Sequence, residues 1–154
     1  MNMDIDKSNL EKMIKEILLE KLSNCTQTDT KVCENGVIKV SVPSIHVNET
    51  DRMDTGGSKK DIVYTKDLFS LQESPRLGCG IMEMKATTFD WTLHYDEIDY
   101  VIEGKLTIII NGHSVTANPG EIILIPKESS IQFSVPEYAR FLYITYPADW
   151  SSQS

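Results

Sequence analysis

The stretch YDEIDYVIEGKLTIIINGHSVTANPGEIILIP, residues 95–126, indicates the fold more strongly than any other part of the chain. It consists of short β-branched and apolar runs separated by turn signals, of which Asn111-Gly112 is the clearest. Asn-Gly is a preferred dipeptide in two-residue β-hairpin turns, because both residues tolerate a positive φ. The stretch therefore predicts antiparallel strands that are joined by tight turns.

The same pattern extends outward, from residue 37 to near the end of the chain. Further β-branched or aromatic runs lie between turn signals such as Ser74-Pro75 and Pro136. Many short strands at this spacing are typical of an antiparallel sandwich or barrel. We therefore predict an all-β domain over residues 37–154, with a long polar surface loop over residues 48–60.

The first 36 residues follow a different pattern. Apolar side chains at positions 10, 13, 14, 17 and 18 have helical spacing, and Ser8 with Glu11 has the form of a capping box. We predict a short amphipathic helix within residues 1–22 and a polar linker over residues 23–36. The apolar face of the helix needs a partner, which leaves two alternatives open. It packs against its own domain, or it is a detached docking peptide.

Composition excludes several classes of function. The 154 residues include 15 Lys and Arg against 23 Asp and Glu, so the chain carries a net charge of −8 at pH 7. Nucleic acids and anionic membranes attract clustered positive charge, and we expect neither as a partner. The three cysteines show no C-x-x-C spacing, and no apolar run approaches the roughly 20 residues of a spanning helix. These features, with the lack of an apolar leader, predict a cytosolic protein.

Two motifs support a more specific interpretation. Glu97 is followed by six residues and then Gly104, and PGEIILIP occupies residues 119–126. Together they resemble the two motifs of the cupins, which implies a cupin-type antiparallel β-barrel, or jelly roll. Residues 89–112 and 119–133, within a likeness that covers residues 77–150, resemble the EutQ family of ethanolamine-utilisation proteins. The N-terminal helix and linker resemble peptides that deliver enzymes into bacterial microcompartments.

The resemblance also shows where this chain departs from a typical metal-binding cupin. The three usual histidine positions fall on Trp91, Leu93 and Ile131, and only Glu97 of the four ligands is kept. Trp, Leu and Ile cannot donate an electron pair to a metal ion. We therefore expect no tightly bound transition metal and no metal-dependent cupin oxygenase activity. His94 is not expected to substitute, because strand alternation points it away from the barrel interior.

Strand alternation predicts what the barrel interior contains instead. Residues 91, 93 and 95 would form an aromatic and apolar wall, with Glu97 and Asp99 beside it on the same face. Two carboxyl groups in such a setting raise each other's pKa and can bind Mg²⁺ or exchange a proton. The alternative is that tyrosine and backbone donors satisfy both carboxyl groups, which would then be purely structural.

The EutQ resemblance implies an acetate kinase that transfers a phosphoryl group between ATP and acetate with Mg²⁺. Such a reaction requires positioning and charge neutralisation more than covalent chemistry. On this reading an aromatic ring would stack on adenine and basic side chains would contact phosphate. The candidate catalytic residues are Glu97, Asp99, Tyr95 and Asp96, and the candidate cofactor-binding residues are Trp91, Glu121, Lys127 and Arg140.

Two other functions stay open. The first is a non-catalytic, metal-free cupin dimer that binds microcompartment components and aids assembly, with the N-terminal helix contacting a shell or cargo protein. The second is a cupin that binds or isomerises a small carbonyl compound without metal. Ile98, Tyr100 and Ile102 alternate opposite to the interior residues and need covering. We expect a homodimer to cover them, although a second sheet of the same subunit would serve equally well.

Overall fold

The computed structural model describes residues 11–16 and 30–153, and the chain divides into two units, Met1–His46 and Val47–Ser154. In the first unit residues 11–16 are helical, and the rest of the expected helix lies outside the described residues. Strand β1 (Lys31–Glu34) pairs with β2 (Val37–Val40) as an antiparallel hairpin. No helix of the described residues is long and apolar enough to cross a membrane.

The first hairpin departs from the expected domain boundaries. Residues 31–34, which fall in the predicted linker, form a strand because Asn35 and Gly36 adopt positive φ angles of 50° and 82° and reverse the chain. The run beginning at residue 37 pairs with this strand rather than with the larger sheet. The large β domain accordingly begins at Val47 and not at residue 37.

The second unit contains one seven-stranded antiparallel sheet, in the order β3-β4-β9-β5-β8, with β6 paired to both β7 and β9. A 3₁₀ turn at Glu49–Asp51 precedes the sheet and another at Trp150–Ser152 follows it. The strands are β3 (Ile62–Asp67), β4 (Gly78–Leu93), β5 (Asp96–Gly104), β6 (Leu106–Ile110), β7 (His113–Ala117), β8 (Ile122–Ile125) and β9 (Ser129–Tyr146).

Two long strands hold the sheet together. β4 has 16 residues and β9 has 18, and they pair along nearly their whole length. The pairing is interrupted by a bulge where Ala86 has a φ of 45°, opposite the segment of β9 that contains Pro136. Proline has no N–H for the ladder, so a bulge is a position that tolerates it. The beginning of β9 pairs with β6 and its end pairs with β5, so the sheet folds around one interior.

Alternation along the strands fills this interior with apolar side chains. The rings of Phe89 and Phe133 stack with centroids 5.4 Å apart, and Phe133 stacks on Phe141 at 6.4 Å. Leu93 and Val101 are fully buried in the same cluster. The predicted all-β class is confirmed.

Candidate functional site

Strand β5 places two acidic side chains inside the apolar interior. Residues 97, 99 and 101 share one face of the strand, and Glu97 and Asp99 are only 3% and 0% exposed. Across the ladder, Glu97 lies opposite Thr145 and Asp99 lies opposite Tyr143. The carboxyl pair expected from the sequence is therefore present and is enclosed by the sheet.

The environment of this pair requires that it holds a proton. Neither carboxyl oxygen of Asp99 accepts a hydrogen bond from the described residues, and the same is true of Glu97 Oε1. The two carboxyl groups interact inside the sheet, so their charges repel each other when both are ionised. A proton held by the pair relieves this repulsion and supplies a donor for one of these oxygens.

Burial determines how the pair titrates. It raises the pKa of Glu97 to about 7. For Asp99, burial and then the adjacent charge of Glu97 raise the pKa well above the usual range of an aspartate. Burial therefore favours the neutral form of both carboxyl groups, and Glu97 changes its protonation near pH 7.

Aromatic hydroxyl groups surround the pair. The indole N–H of Trp91 donates to the Tyr95 hydroxyl at 2.8 Å, and that hydroxyl is within hydrogen-bonding contact of Glu97. Burial raises the pKa of Tyr95, so its hydroxyl keeps its proton and can donate it toward Glu97. The Tyr143 hydroxyl donates to Asp67 at 2.6 Å, and its ring occupies the space left by the missing side chain of Gly80.

Trp150, just beyond the last strand, closes the interior over these groups. Its ring centroid lies 6.4 Å from that of Trp91, 5.8 Å from Tyr95 and 5.9 Å from Tyr143. The chamber that these side chains line has a volume of about 10 Å³, which is roughly the space for one water molecule. Its lining consists of apolar and aromatic side chains with Glu97, and includes no cationic side chain among the described residues.

A larger groove lies on the solvent side of the same aromatic wall. Its volume is about 450 Å³, and Trp91, Tyr95 and Trp150 line it as well as the chamber. Asp54 and Asp90 add carboxylates to its rim. The three aromatic side chains therefore separate a solvent-exposed groove from the buried acid pair.

The residues of the interior do not fit a bound metal ion. Leu93 and Ile131, at two of the usual cupin ligand positions, are buried core side chains, and Trp91 uses its only polar atom on Tyr95. The described residues contain no group of three or more His, Cys, Asp or Glu that could hold a metal. A chamber of about 10 Å³ also has no room for a hydrated Mg²⁺.

Five of the predicted site residues do not line this chamber, and three of them, Asp96, Glu121 and Lys127, are exposed. Asp96 is exposed, because it alternates with Glu97, and its carboxylate accepts the backbone N–H of Lys127 at 2.9 Å. The Lys127 side chain is also exposed and pairs with Glu128 at 3.7 Å. Glu121 accepts the backbone N–H of Asn118 at 2.7 Å, and this hydrogen bond lowers its pKa. Glu121 thus stabilises a turn rather than the site.

Arg140 departs further from its expected position. It neighbours Phe141, whose ring faces the interior, so the arginine side chain lies on the opposite face of the sheet. There it is 7% exposed and forms an ion pair with Glu83 of the adjacent strand. The sheet therefore separates Arg140 from the acid pair.

Sequence reasoning missed six of the residues that line the chamber, and two of them lie outside the long strands. Trp150 follows the last predicted strand, and Met53 belongs to the predicted surface loop, yet both line the chamber. An aromatic residue shortly after a terminal strand is a weak signal, because only the path of the chain decides whether it folds back over the barrel.

Comparison with known proteins identifies the family. The family model of the ethanolamine utilisation protein EutQ matches residues 5–152. A protein of Clostridioides difficile named acetate kinase EutQ is 58% identical over 98% of both chains. The solved structure of the C. difficile EutQ protein is 62% identical and superposes with a TM-score of 0.78, covering 82% of this chain and 94% of the other.

A more distant match supports the architecture alone. The cupin domain of Schizosaccharomyces pombe Cnp3 is 17% identical and has a TM-score of 0.53, covering 72% of this chain and 77% of that domain. The barrel is therefore of the cupin type. Since the family model covers nearly the whole sequence, the chain belongs to the EutQ family of ethanolamine utilisation proteins.

Proposed function

We propose that this protein is an acetate kinase, which transfers the terminal phosphoryl group of MgATP to acetate and forms acetyl phosphate. The name of its 58% identical C. difficile relative supports this activity. The observation on this chain that carries the proposal is the buried acid pair, because Glu97 lines an apolar chamber and burial favours the protonated form of its carboxyl group.

The acid pair suits acetate in a specific way. A carboxylate substrate would repel an ionised Glu97, but a protonated Glu97 can donate a hydrogen bond to it. The aromatic and apolar side chains that line the chamber would contact the methyl group of acetate. In this proposal Glu97 binds and orients the nucleophile, and Tyr95 orients Glu97.

MgATP enters the proposal as a substrate, since the chain offers no metal site of its own among the described residues. The groove of about 450 Å³ is large enough to accept part of a nucleotide, and the Trp91 and Trp150 rings provide a stacking surface for adenine. The Mg²⁺ that accompanies ATP would neutralise phosphate charge that the acidic rim repels.

The test is formation of acetyl phosphate from MgATP and acetate by protein purified from a host without its own acetate kinase. Wild type should form acetyl phosphate, and Glu97→Gln should lose at least tenfold in kcat/KM for acetate. Glu121→Gln is the matched control, because it alters an exposed glutamate distant from the chamber and should retain full activity. Equal activity of Glu97→Gln and wild type would contradict the assigned site.

A second candidate function is a non-catalytic module that aids assembly of a microcompartment. The small volume of the chamber, about 10 Å³, favours this reading, because a filled barrel resembles a scaffold more than an open enzyme. We propose that residues 1–22 direct the protein to a compartment by contact with a shell or cargo protein. Deletion of residues 1–22 should abolish co-sedimentation with compartments, and neither the wild type nor the deletion variant should form acetyl phosphate if the module is non-catalytic.

A homodimer is part of either proposal. Exposed apolar side chains of β8, β5 and β9 lie side by side on the outer face of the sheet, since Ile98 pairs with both Leu124 and Ile144, and Tyr100 pairs with Ile122. Ile122 and Leu124 are 66% and 64% exposed, which is unusual for side chains of this type within a strand. We propose that a second copy of the chain covers this outer apolar face.

A further inference from the structure

Trp150 is one of four side chains that line both the chamber and the groove that faces solvent, together with Met53, Trp91 and Tyr95. The Trp150 ring lines both spaces and touches three other aromatic rings, those of Trp91, Tyr95 and Tyr143. Glu97 also lines the chamber, and its Oε1 atom is buried and accepts no hydrogen bond from the described residues. An unsatisfied carboxyl group and the Trp150 ring therefore share one chamber.

The backbone around Trp150 is held by hydrogen bonds between neighbouring residues. In its 3₁₀ turn the Ser152 N–H donates to the Asp149 carbonyl at 2.9 Å, and the Gln153 N–H donates to the Trp150 carbonyl at 3.2 Å. These bonds do not belong to the sheet, so the turn can move without breaking the ladder. Among the described residues the indole N–H of Trp150 has no hydrogen-bond acceptor, whereas that of Trp91 is fixed on Tyr95.

The volumes of the chamber and the groove limit the size of a molecule that can reach Glu97. The chamber of about 10 Å³ accepts roughly one water molecule, but the groove of about 450 Å³ accepts much larger ligands. A molecule with four heavy atoms, such as acetate, reaches Glu97 only if a side chain that lines both spaces moves. Of the three aromatic ones, Trp91 lies on β4 and Tyr95 in the tight connection between β4 and β5, whereas Trp150 lies on a short turn after the last strand.

We propose that Trp150 is a movable plug, and that its withdrawal joins the groove to the chamber and creates a binding site for a small aliphatic carboxylic acid. In the open site the ligand's carboxyl group contacts Glu97, and its alkyl group occupies the space that the indole fills in the closed form. The choice of ligand rests on the proposed function, whereas the plug itself rests on the geometry alone.

The first test measures whether Trp150 seals the chamber. The full chain carrying ¹³C-labelled glutamate is titrated by NMR, and Glu97→Gln identifies the Glu97 carboxyl signal. In Trp150→Ala water enters, and the pKa of Glu97 should fall from about 7 toward its ordinary value of 4.5. Trp150→Phe keeps a ring over the chamber and should stay close to wild type. An unchanged pKa in folded Trp150→Ala would overturn the proposal.

The second test measures whether the plug moves. The two tryptophans are replaced by 5-fluorotryptophan, and Trp150→Phe assigns their ¹⁹F signals. Acetate should shift the Glu97 and Trp150 signals of wild type over the same concentration range, and should shift the Glu97 signal of Trp150→Ala at a concentration at least threefold lower. A Glu97 response without a Trp150 response, or no response in either variant, would overturn it. Neither test uses turnover, so a failed acetate kinase assay leaves both results interpretable.

Discussion

Glu97 shows how one buried residue can make the stability of the whole domain depend on pH. The pKa of Glu97 is higher in the folded chain than its ordinary value of 4.5, so between pH 4.5 and about 7 the folded state binds more protons than the unfolded state. The free energy of unfolding is therefore greatest below pH 4.5, and this contribution is lost as the pH rises to about 7. The loss is on the order of 3 kcal/mol.

Urea unfolding at a series of pH values measures this effect. The double variant Glu97→Gln/Asp99→Asn lacks both titrating groups, so its free energy of unfolding should fall less than that of wild type between pH 4.5 and 7. Glu121→Gln changes an exposed carboxylate and should follow wild type over this range. Parallel curves for wild type and the double variant would show that the pair does not titrate as described.

At the residue scale, much of the interior could be predicted from strand alternation alone. Leu93, Tyr95, Glu97 and Asp99 face inward as expected, because their period of two is a property of any strand. Arg140 was not predictable in the same way. Its face depends on the register of β9, and the bulge beside Pro136 shifts that register by an amount that the sequence does not reveal.

At the scale of elements, β4 and β9 must pass close to each other, and glycine makes this possible. A side chain at Gly80 would overlap the Tyr143 ring on β9. Gly80→Ala should lower the free energy of unfolding by about 1–3 kcal/mol, as other overpacked core positions do, and displace Tyr143 from Asp67. Urea unfolding measures this loss of stability. Gly57→Ala is the control, because the atoms nearest to an added Cβ at Gly57 are side-chain oxygen atoms of Asp61 and Thr55 and not a packed ring.

The ion pair between β4 and β9 gives a second prediction at this scale. Arg140→Met removes the guanidinium group that pairs with the largely buried carboxylate of Glu83. The variant should therefore be less stable than the wild type by about 2 kcal/mol or more. The double variant Glu83→Leu/Arg140→Met should recover part of this loss, and acetyl phosphate formation should be unchanged in both. A stable Arg140→Met with a raised KM for MgATP would instead support the phosphate contact suggested by the sequence.

The strands themselves were largely predictable, but their continuity was not. The runs SIQFSV and RFLYITY are separated by a proline and read as two strands, yet they form the single strand β9. A proline in the sequence indicates an irregularity in a ladder, but it does not show whether the strand ends at that point. The polar composition of residues 23–36 predicts a linker, although a four-residue strand forms at residues 31–34.

At the scale of the whole molecule, the outer apolar face predicts the oligomeric state. Leu124→Glu would bury a charge in the proposed dimer interface and should convert a dimer to a monomer, as measured by light scattering during size-exclusion chromatography. Val115→Glu is the matched control, because Val115 is also an exposed apolar residue but belongs to β7 and not to the outer apolar face. A monomeric wild type would contradict the prediction.

In the proposed reaction a protonated Glu97 binds acetate inside the barrel. Its protonation can be followed through kcat/KM for acetate, measured between pH 5 and 9 at saturating MgATP. Because an ionised Glu97 repels acetate, kcat/KM should fall above about pH 7, the pKa of Glu97. A rate that rises through pH 7, or that stays constant across it, would contradict the claim.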